Sequence, residues 1–146
     1  MAGAGADSIM GLAGNDELNG GPGNDTLVSG LGDDQLTGGD GQDRFVFERA
    51  IKEGGNVDTV TDFASGSDTI ALTGSVFAAL RGDSDLSDNL WLTTSTSPAT
   101  ARSHLVFDPQ SGVLSFDPDG SGPAASIAIC TLVGVTKLTS NDLVMV

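Results

Sequence analysis

The chain has one cysteine, Cys130, so no disulfide can form within it, and a 146-residue protein working outside a cell would need another staple. It has one histidine, His104, which rules out a His-Glu-x-x-His zinc motif and any metal centre built on two imidazoles. Six basic residues stand against twenty acids, a formal charge of -14, and the basic ones form no cluster, so nucleic acid and anionic membrane are excluded as partners. No apolar run approaches the roughly eighteen residues of a spanning helix, so no integral membrane segment is expected. The N-terminus also lacks a charged stretch leading into an apolar core, which argues against a cleaved N-terminal leader.

What the chain does have is glycine and aspartate in phase. Five nonapeptides run without slippage from Ala2 to Val46: AGAGADSIM, GLAGNDELN, GGPGNDTLV, SGLGDDQLT and GGDGQDRFV. The sixth position is always Asp (Asp7, Asp16, Asp25, Asp34, Asp43) and the eighth is apolar (Ile9, Leu18, Leu27, Leu36, Phe45). Glycines at the first, second and fourth positions suit a tight turn with inward carbonyls, because glycine tolerates positive φ and close backbone approach. The last three residues make a strand too short to survive alone, with one apolar side chain pointing inward. If each unit is half a coil, strands stack about 4.8 Å apart and Asp7, Asp25 and Asp43 share one edge, with Asp16 and Asp34 on the other. Carboxylates at that spacing repel by about 3 to 4 kcal/mol at an effective dielectric of ~20, so the metal-free stack is expected to be unstable. Ca²⁺ reverses that term and accepts carboxylate and carbonyl oxygens in flexible geometry, whereas Mg²⁺ demands a tight octahedron. Ala2, Leu12 and Ser29 replace glycines, and the cost falls on the backbone, so the site using Leu12 and Ser29 is expected to be the least ideal. Asn15, Asn24 and Asp33 at the fifth position are types that tolerate left-handed backbone, which would suit the turn.

The unit G-G-x-G-x-D-x-U-x resembles the calcium-binding repeat of RTX (hemolysin-type) proteins. The junction GQDRFVFERA with NVDTVTDFASGSDTIAL, the later HLVFDPQSGVLSFDPDGSG and the terminal NDLVMV resemble the C-terminal domain of serralysin-type metalloproteases and related exoproteins. The resemblance implies an all-β chain: a right-handed parallel β-roll over residues 1–46, then a β-rich C-terminal cap over 47–146. It implies a calcium-binding module that folds outside the cell and serves a protein secreted by type I secretion machinery through an uncleaved C-terminal signal. Asp142 followed by Leu143, Val144, Met145 and Val146 has the acidic-then-apolar form of such a signal, although these residues are equally a last strand. A chain that opens within a repeat at Ala2 also suggests an upstream passenger domain.

By the same resemblance, an earlier loop gives carbonyls from its second and fourth residues plus its Asp. The loop two units on gives carbonyls from its first and third residues plus its Asp. One site would use Gly3, Gly5, Asp7, Gly20, Pro22 and Asp25. A second would use Leu12, Gly14, Asp16, Ser29, Leu31 and Asp34, and a third Gly21, Gly23, Asp25, Gly38, Asp40 and Asp43. A fourth would join Gly30, Gly32 and Asp34 to Asp58 or Asp62.

After Phe47 the period stops. Strands are expected over 57–63 and 68–72 with a turn at 64–67, then over 90–93, 104–107, 113–116, 126–133 and 143–146. A short helix over 75–80 and an outward loop over 84–102 complete the reading. A roll ending at the fifth unit exposes an apolar edge, which this region is long enough to cap.

Other motifs carry less. Asp117-Pro-Asp-Gly-Ser-Gly looks like an EF-hand start, but the twelfth position is Ala128 and the flanks are strands, so a turn is expected. Cys130 sits among apolar residues as an inert thiol, and His104 has no Gly-x-Ser-x-Gly partner. The glycine loops lack the Gly-Lys-Ser/Thr ending of a phosphate cradle. No enzymatic role is expected. The rival reading is an extracellular binding module for a polysaccharide, a surface or another copy of itself, with Trp91 as contact; against it stands a core Trp in a strand.

Overall fold

A computed structural model describes residues 2–48, 57–73, 90–92, 104–117 and 126–146, with the backbone alone for 90–92. Odd-numbered repeats place their strands in one sheet and even-numbered repeats in the other. The first sheet begins with β1 (Ser8–Met10), β3 (Thr26–Val28) and β5 (Arg44–Phe47), all parallel. The second begins with β2 (Glu17–Pro22) and β4 (Gln35–Asp40). Ile9 lies over Leu27 and Leu27 over Phe45, while Leu18 lies over Leu36, so one coil takes two units as the nine-residue phase requires. Leu27, Leu36 and Phe45 are fully buried between the sheets. Full burial of such a side chain contributes about 1.5–3 kcal/mol, and this apolar line holds the short strands in register. β2 and β4 outrun the expected three residues because Gly21 and Pro22 pair with Gly39 and Asp40, continuing the ladder through what glycine content marks as turn.

Both sheets continue beyond residue 46. β6 (Asp58–Val60) pairs with β4 and β7 (Thr69–Leu72) pairs with β5, putting Val60 and Ile70 on the same buried line. The first sheet then ends with β12 (Leu143–Met145) parallel to β7. The second takes on β11 (Ile127–Leu132) parallel to β6, then β10 (Val113–Phe116), β9 (Leu105–Asp108) and β8 (Leu90–Leu92). Leu105, Phe107, Leu114, Ile129, Leu132 and Leu138 join the roll residues in one core. The expected strand over 57–63 is shorter because the chain leaves the ladder at Thr61 and bends at Asp62. The turn at 64–67 is present, with the Ser67 amide on the Ala64 carbonyl at 3.0 Å. The helix expected over 75–80, most of the 84–102 loop and the side chain of Trp91 lie outside the described residues. Among the described residues the helical content is a 3₁₀ turn at Ser140–Asp142, and no helix is long and apolar enough to cross a membrane.

Candidate calcium-binding edges

The loops between strands form two edges, 2–7, 20–25 and 38–43 on one and 11–16 and 29–34 on the other. Fourth-position glycines Gly5, Gly14, Gly23, Gly32 and Gly41 all have positive φ, between 121° and 148°. They also let coils approach closely: a Cβ at Gly23 would strike the Gly5 carbonyl oxygen, one at Gly32 that of Gly14, and one at Gly41 that of Gly23. Gly30 and Gly39 bear in the same way on the carbonyls of Leu12 and Gly21, and Gly20 on that of Gly38. First-, second- and fourth-position carbonyls therefore crowd the gaps between stacked loops. Third-position carbonyls of Pro22, Leu31 and Asp40 accept the amides of Gly5, Gly14 and Gly23 at 2.8–2.9 Å and keep one lone pair each. Leu12 is the single described non-glycine residue with positive φ, 72°, so the departure from consensus falls on its backbone.

The aspartates join one coil to the next. The amide of Asp7 donates to Asp25 Oδ1 at 2.8 Å, that of Asp25 to Asp43 Oδ1 at 2.9 Å, and that of Asp16 to Asp34 Oδ1 at 2.8 Å. The second oxygens are different: Oδ2 of Asp7, Asp16, Asp25, Asp34 and Asp43 is buried in each case without a hydrogen-bond partner. An unsatisfied carboxylate oxygen is costly, and the same flaw recurs in phase with the repeat. Burial holds the carboxyls of Asp34 and Asp43 above the usual range despite the amide bond each receives, and neighbouring carboxylates add to the rise. No group of three or more Asp, Glu, His or Cys side chains is placed to hold a metal ion among the described residues. The donor set is instead a few carboxylate oxygens with several carbonyls, which suits the hard, adaptable Ca²⁺ shell rather than zinc.

The residues matching a known family are these same loops. Residues 1–36 and 20–49 match the RTX calcium-binding nonapeptide repeat, four copies. Residues 1–49 are RTX calcium-binding repeats. Such repeats bind Ca²⁺. The whole chain is similar in fold to the AlgE6R3 subunit of the Azotobacter vinelandii mannuronan C5-epimerase, with TM-score 0.52, 23% identity, and coverage of 98% of this chain and 80% of that one. It is likewise similar to the AlgE6R2 subunit, with TM-score 0.54, 19% identity and coverage of 97% and 88%. At these identities the likeness is one of fold. The sequence has no match among curated proteins.

The RTX geometry brings together the loops of all three repeat-to-repeat sites named from the sequence. It separates the two residues offered for the fourth. Asp58 stands over Asp34, its Oδ1 accepting the Asp34 amide at 3.0 Å. Burial pushes the Asp58 carboxyl up to about 6, against the pull of the Asp34 amide and the Ser29 hydroxyl. Asp62 instead lies on the opposite edge, where its two oxygens accept the amides of Gly38 and Gly39 at 2.9 Å each. It stands where the next coil's backbone would be. The fifth-position residues also need correcting, since Asn15, Asn24 and Asp33 are not left-handed. Their side chains accept amides one coil on instead: Asn15 from Asp33 at 3.1 Å, Asn24 from Gln42 at 2.9 Å, and Asp33 from Val57 at 2.9 Å.

Asp68 was missed. Its Oδ1 takes the Asp43 amide at 3.0 Å and its Oδ2 the Ala64 amide at 2.8 Å, while Ser67 Oγ donates to the Gly41 carbonyl at 2.9 Å. The signal was present: Asp58-Thr-Val and Asp68-Thr-Ile keep the sixth-to-eighth-position pattern without its glycines. Beyond the repeats, the ladder carboxylates are met by protein donors. Cys130 is buried and its thiol is pushed far up by desolvation and by Asp58, as expected of an inert residue. His104 sits one residue before β9, its Nδ1 2.8 Å from the Asp117 carbonyl.

Proposed function

We propose that this chain is a calcium-operated folding and export module of a type I secreted protein. The observation that carries the reading is the set of five buried, unpartnered Oδ2 atoms that, among the described residues, is confined to the repeats. At the low free Ca²⁺ of a cytoplasm these groups oppose closure of the roll, leaving a chain that can be threaded through an exporter. Extracellular calcium modules bind at about 10⁻⁴–10⁻³ M, so outside the cell the sites fill. At free calcium about one hundred times the dissociation constant, each independent site adds roughly 2.7 kcal/mol to the folded state.

The resemblance to the RTX repeat implies which residues would hold the ions, and the stacking of the loops supports that assignment. Gly3, Gly5 and Asp7 would act with Gly20, Pro22 and Asp25. Gly21, Gly23 and Asp25 would act with Gly38, Asp40 and Asp43. On the other edge, Leu12, Gly14 and Asp16 would act with Ser29, Leu31 and Asp34. Among the described residues after 46, Asp58, Asp62, Asp68 and Asp142 have carboxylate oxygens met by amides and hydroxyls, which supports this region's role as the template on which calcium closes the coils one by one. Asp142, in the terminal signal-like segment, is buried and accepts bonds from Ser65, Gly66 and Thr139. An exporter would therefore read this terminus before folding.

Far-UV circular dichroism during a Ca²⁺ titration of the chelated chain, with Mg²⁺ as control, tests the folding half. A cooperative gain of β signal with Ca²⁺ alone is expected, and a folded, calcium-indifferent chain would sink the reading. Secretion of a reporter fused ahead of the chain, with and without residues 142–146, tests the export half.

A further inference from the structure

The turn at 64–67 faces two ways. Towards the repeats, Ser67 Oγ donates to the Gly41 carbonyl at 2.9 Å, and Asp68, which accepts the Ala64 amide at 2.8 Å, also takes the Asp43 amide at 3.0 Å. Towards the C-terminus, the Gly66 amide donates to Oδ1 of Asp142 at 2.7 Å and Ser65 Oγ to its Oδ2 at 2.8 Å. Asp142 is buried, takes the Thr139 amide as well, and so fixes the entry to β12. Ala64, Ser65 and Gly66 are exposed and have no large side chain to pack. The shape of the turn therefore depends on the carboxylates of Asp68 and Asp142.

β12 depends on the repeats in a second way. It ends the first sheet and pairs with β7 alone, and the other neighbour of β7 is the repeat strand β5. Val46, Ala71 and Val144 lie in register on the outer face of that sheet, in one cluster with Val28. Leu143, beside Ile70, joins the main core. Opening the coil that holds β5 removes both supports from the terminus.

We infer that the 64–67 turn is a latch that couples calcium at the 38–43 loop to docking of the C-terminal strand. Filling the site that contains Asp43 withdraws residues 142–146, and losing the ion releases them. An ion on the buried Oδ2 of Asp43 fixes the loop whose Asp43 amide and Gly41 carbonyl hold Asp68 and Ser67. The turn so ordered presents Ser65 and Gly66 to Asp142. Linkage makes the coupling reciprocal: docked Asp142 raises calcium affinity by the factor by which calcium raises docking, typically about 5–150-fold between coupled sites. The inference rests on the calcium reading, since Asp43 is taken as a ligand, and not on the export one. The other edge provides an internal control, because its ladder passes from Asp34 to Asp58 on a strand of the second sheet.

The test is a Ca²⁺ titration of the full chain followed by ¹⁵N chemical shifts and amide hydrogen exchange. Val144 and Met145 should gain protection at the calcium concentration at which Gly41 and Asp43 respond. Asp142→Asn, which turns an amide donor towards Ser65 or Gly66, should move that midpoint roughly fivefold or more higher, while the midpoint of Gly32 and Asp34 stays within about twofold. A general loss of stability would move both edges alike. Ser65→Ala, at an exposed position, removes one bond and should act in the same direction but by less. Should Asp142→Asn fail to fold, Ser65→Ala carries the test. Equal protection of Val144 and Met145 with and without calcium, in a chain whose repeats respond to calcium, would overturn this inference alone. So would midpoints that the variants leave unmoved or move equally at both edges. Repeats that do not respond to calcium at all would instead overturn the folding module, and the latch with it.

Discussion

The amide of Asp43 donates to Oδ1 of Asp68 across 3.0 Å, and through that bond the carboxylate ladder passes from the repeats into a segment with no repeat. The two residues differ in their second oxygens. That of Asp43 is buried without a partner, whereas that of Asp68 accepts the Ala64 amide at 2.8 Å. The roll is thus divided into coils that need an ion and a terminal segment that supplies its own donors.

Asp25 belongs to two of the three proposed sites, so Asp25→Asn should shift the midpoint of the calcium response to at least tenfold higher concentration. Asp62→Ala should behave differently. It orphans the amide of buried Gly38, worth about 1–3 kcal/mol, while the exposed Gly39 amide can turn to water at little cost. Denaturant titration should show this loss of stability in saturating calcium, while calorimetry finds the number of bound ions unchanged.

Leu12 holds a left-handed backbone that costs a side-chain-bearing residue roughly 1–2 kcal/mol. Leu12→Gly should therefore raise the stability of the calcium-bound chain by about 1 kcal/mol, less glycine's added entropy in the unfolded state. The side chain is 71% exposed, so little packing is lost. Thermal unfolding at fixed calcium measures it.

Burial alone would raise the Asp142 carboxyl, but bonds from Ser65, Thr139 and Gly66 outweigh it and hold the group below its usual range. A depressed folded-state value means that the unfolded chain binds the proton more readily, so the stabilisation is present above pH ~4 and is lost as pH falls through the folded-state value. Asp142→Asn should destabilise the calcium-bound chain at pH 7. The gap from the parent should narrow as pH drops below ~4, as urea unfolding at a series of pH values would show.

Much of this was legible because the repeat carries its instructions locally. Ile9, Leu27 and Phe45 in phase fix the coil at two units, and the aspartates two places before them fix the edges. β10 at Val113–Phe116 was equally plain from alternation before a glycine turn. What escaped depends on contacts between segments far apart in sequence. The resemblance leaves Asp58 and Asp62 as alternatives for the fourth site, because it does not tell which edge each acid reaches. Only the approach of Gly38 and Gly39 shows that Asp62 replaces a missing coil. Asp68 keeps the repeat's spacing to its apolar residue without the glycines, but its bond to the Asp43 amide, 25 residues away, and those of Asp142 with Ser65 and Gly66, 76–77 residues away, show only in the fold. The fifth-position residues misled because side-chain type suggested a backbone conformation, while the stacked coil gave Asn15 and Asn24 a hydrogen bond instead.

Amide hydrogen exchange with and without calcium tests the central claim most directly. The account predicts that Leu18, Leu27, Leu36 and Phe45 exchange near the rate of an open chain after chelation and become strongly protected in millimolar Ca²⁺. Leu114 and Ile129 should keep at least part of their protection in both conditions. Strong protection of the repeat amides in the chelated chain would contradict it, because the five unpartnered carboxylate oxygens would then not govern closure of the roll.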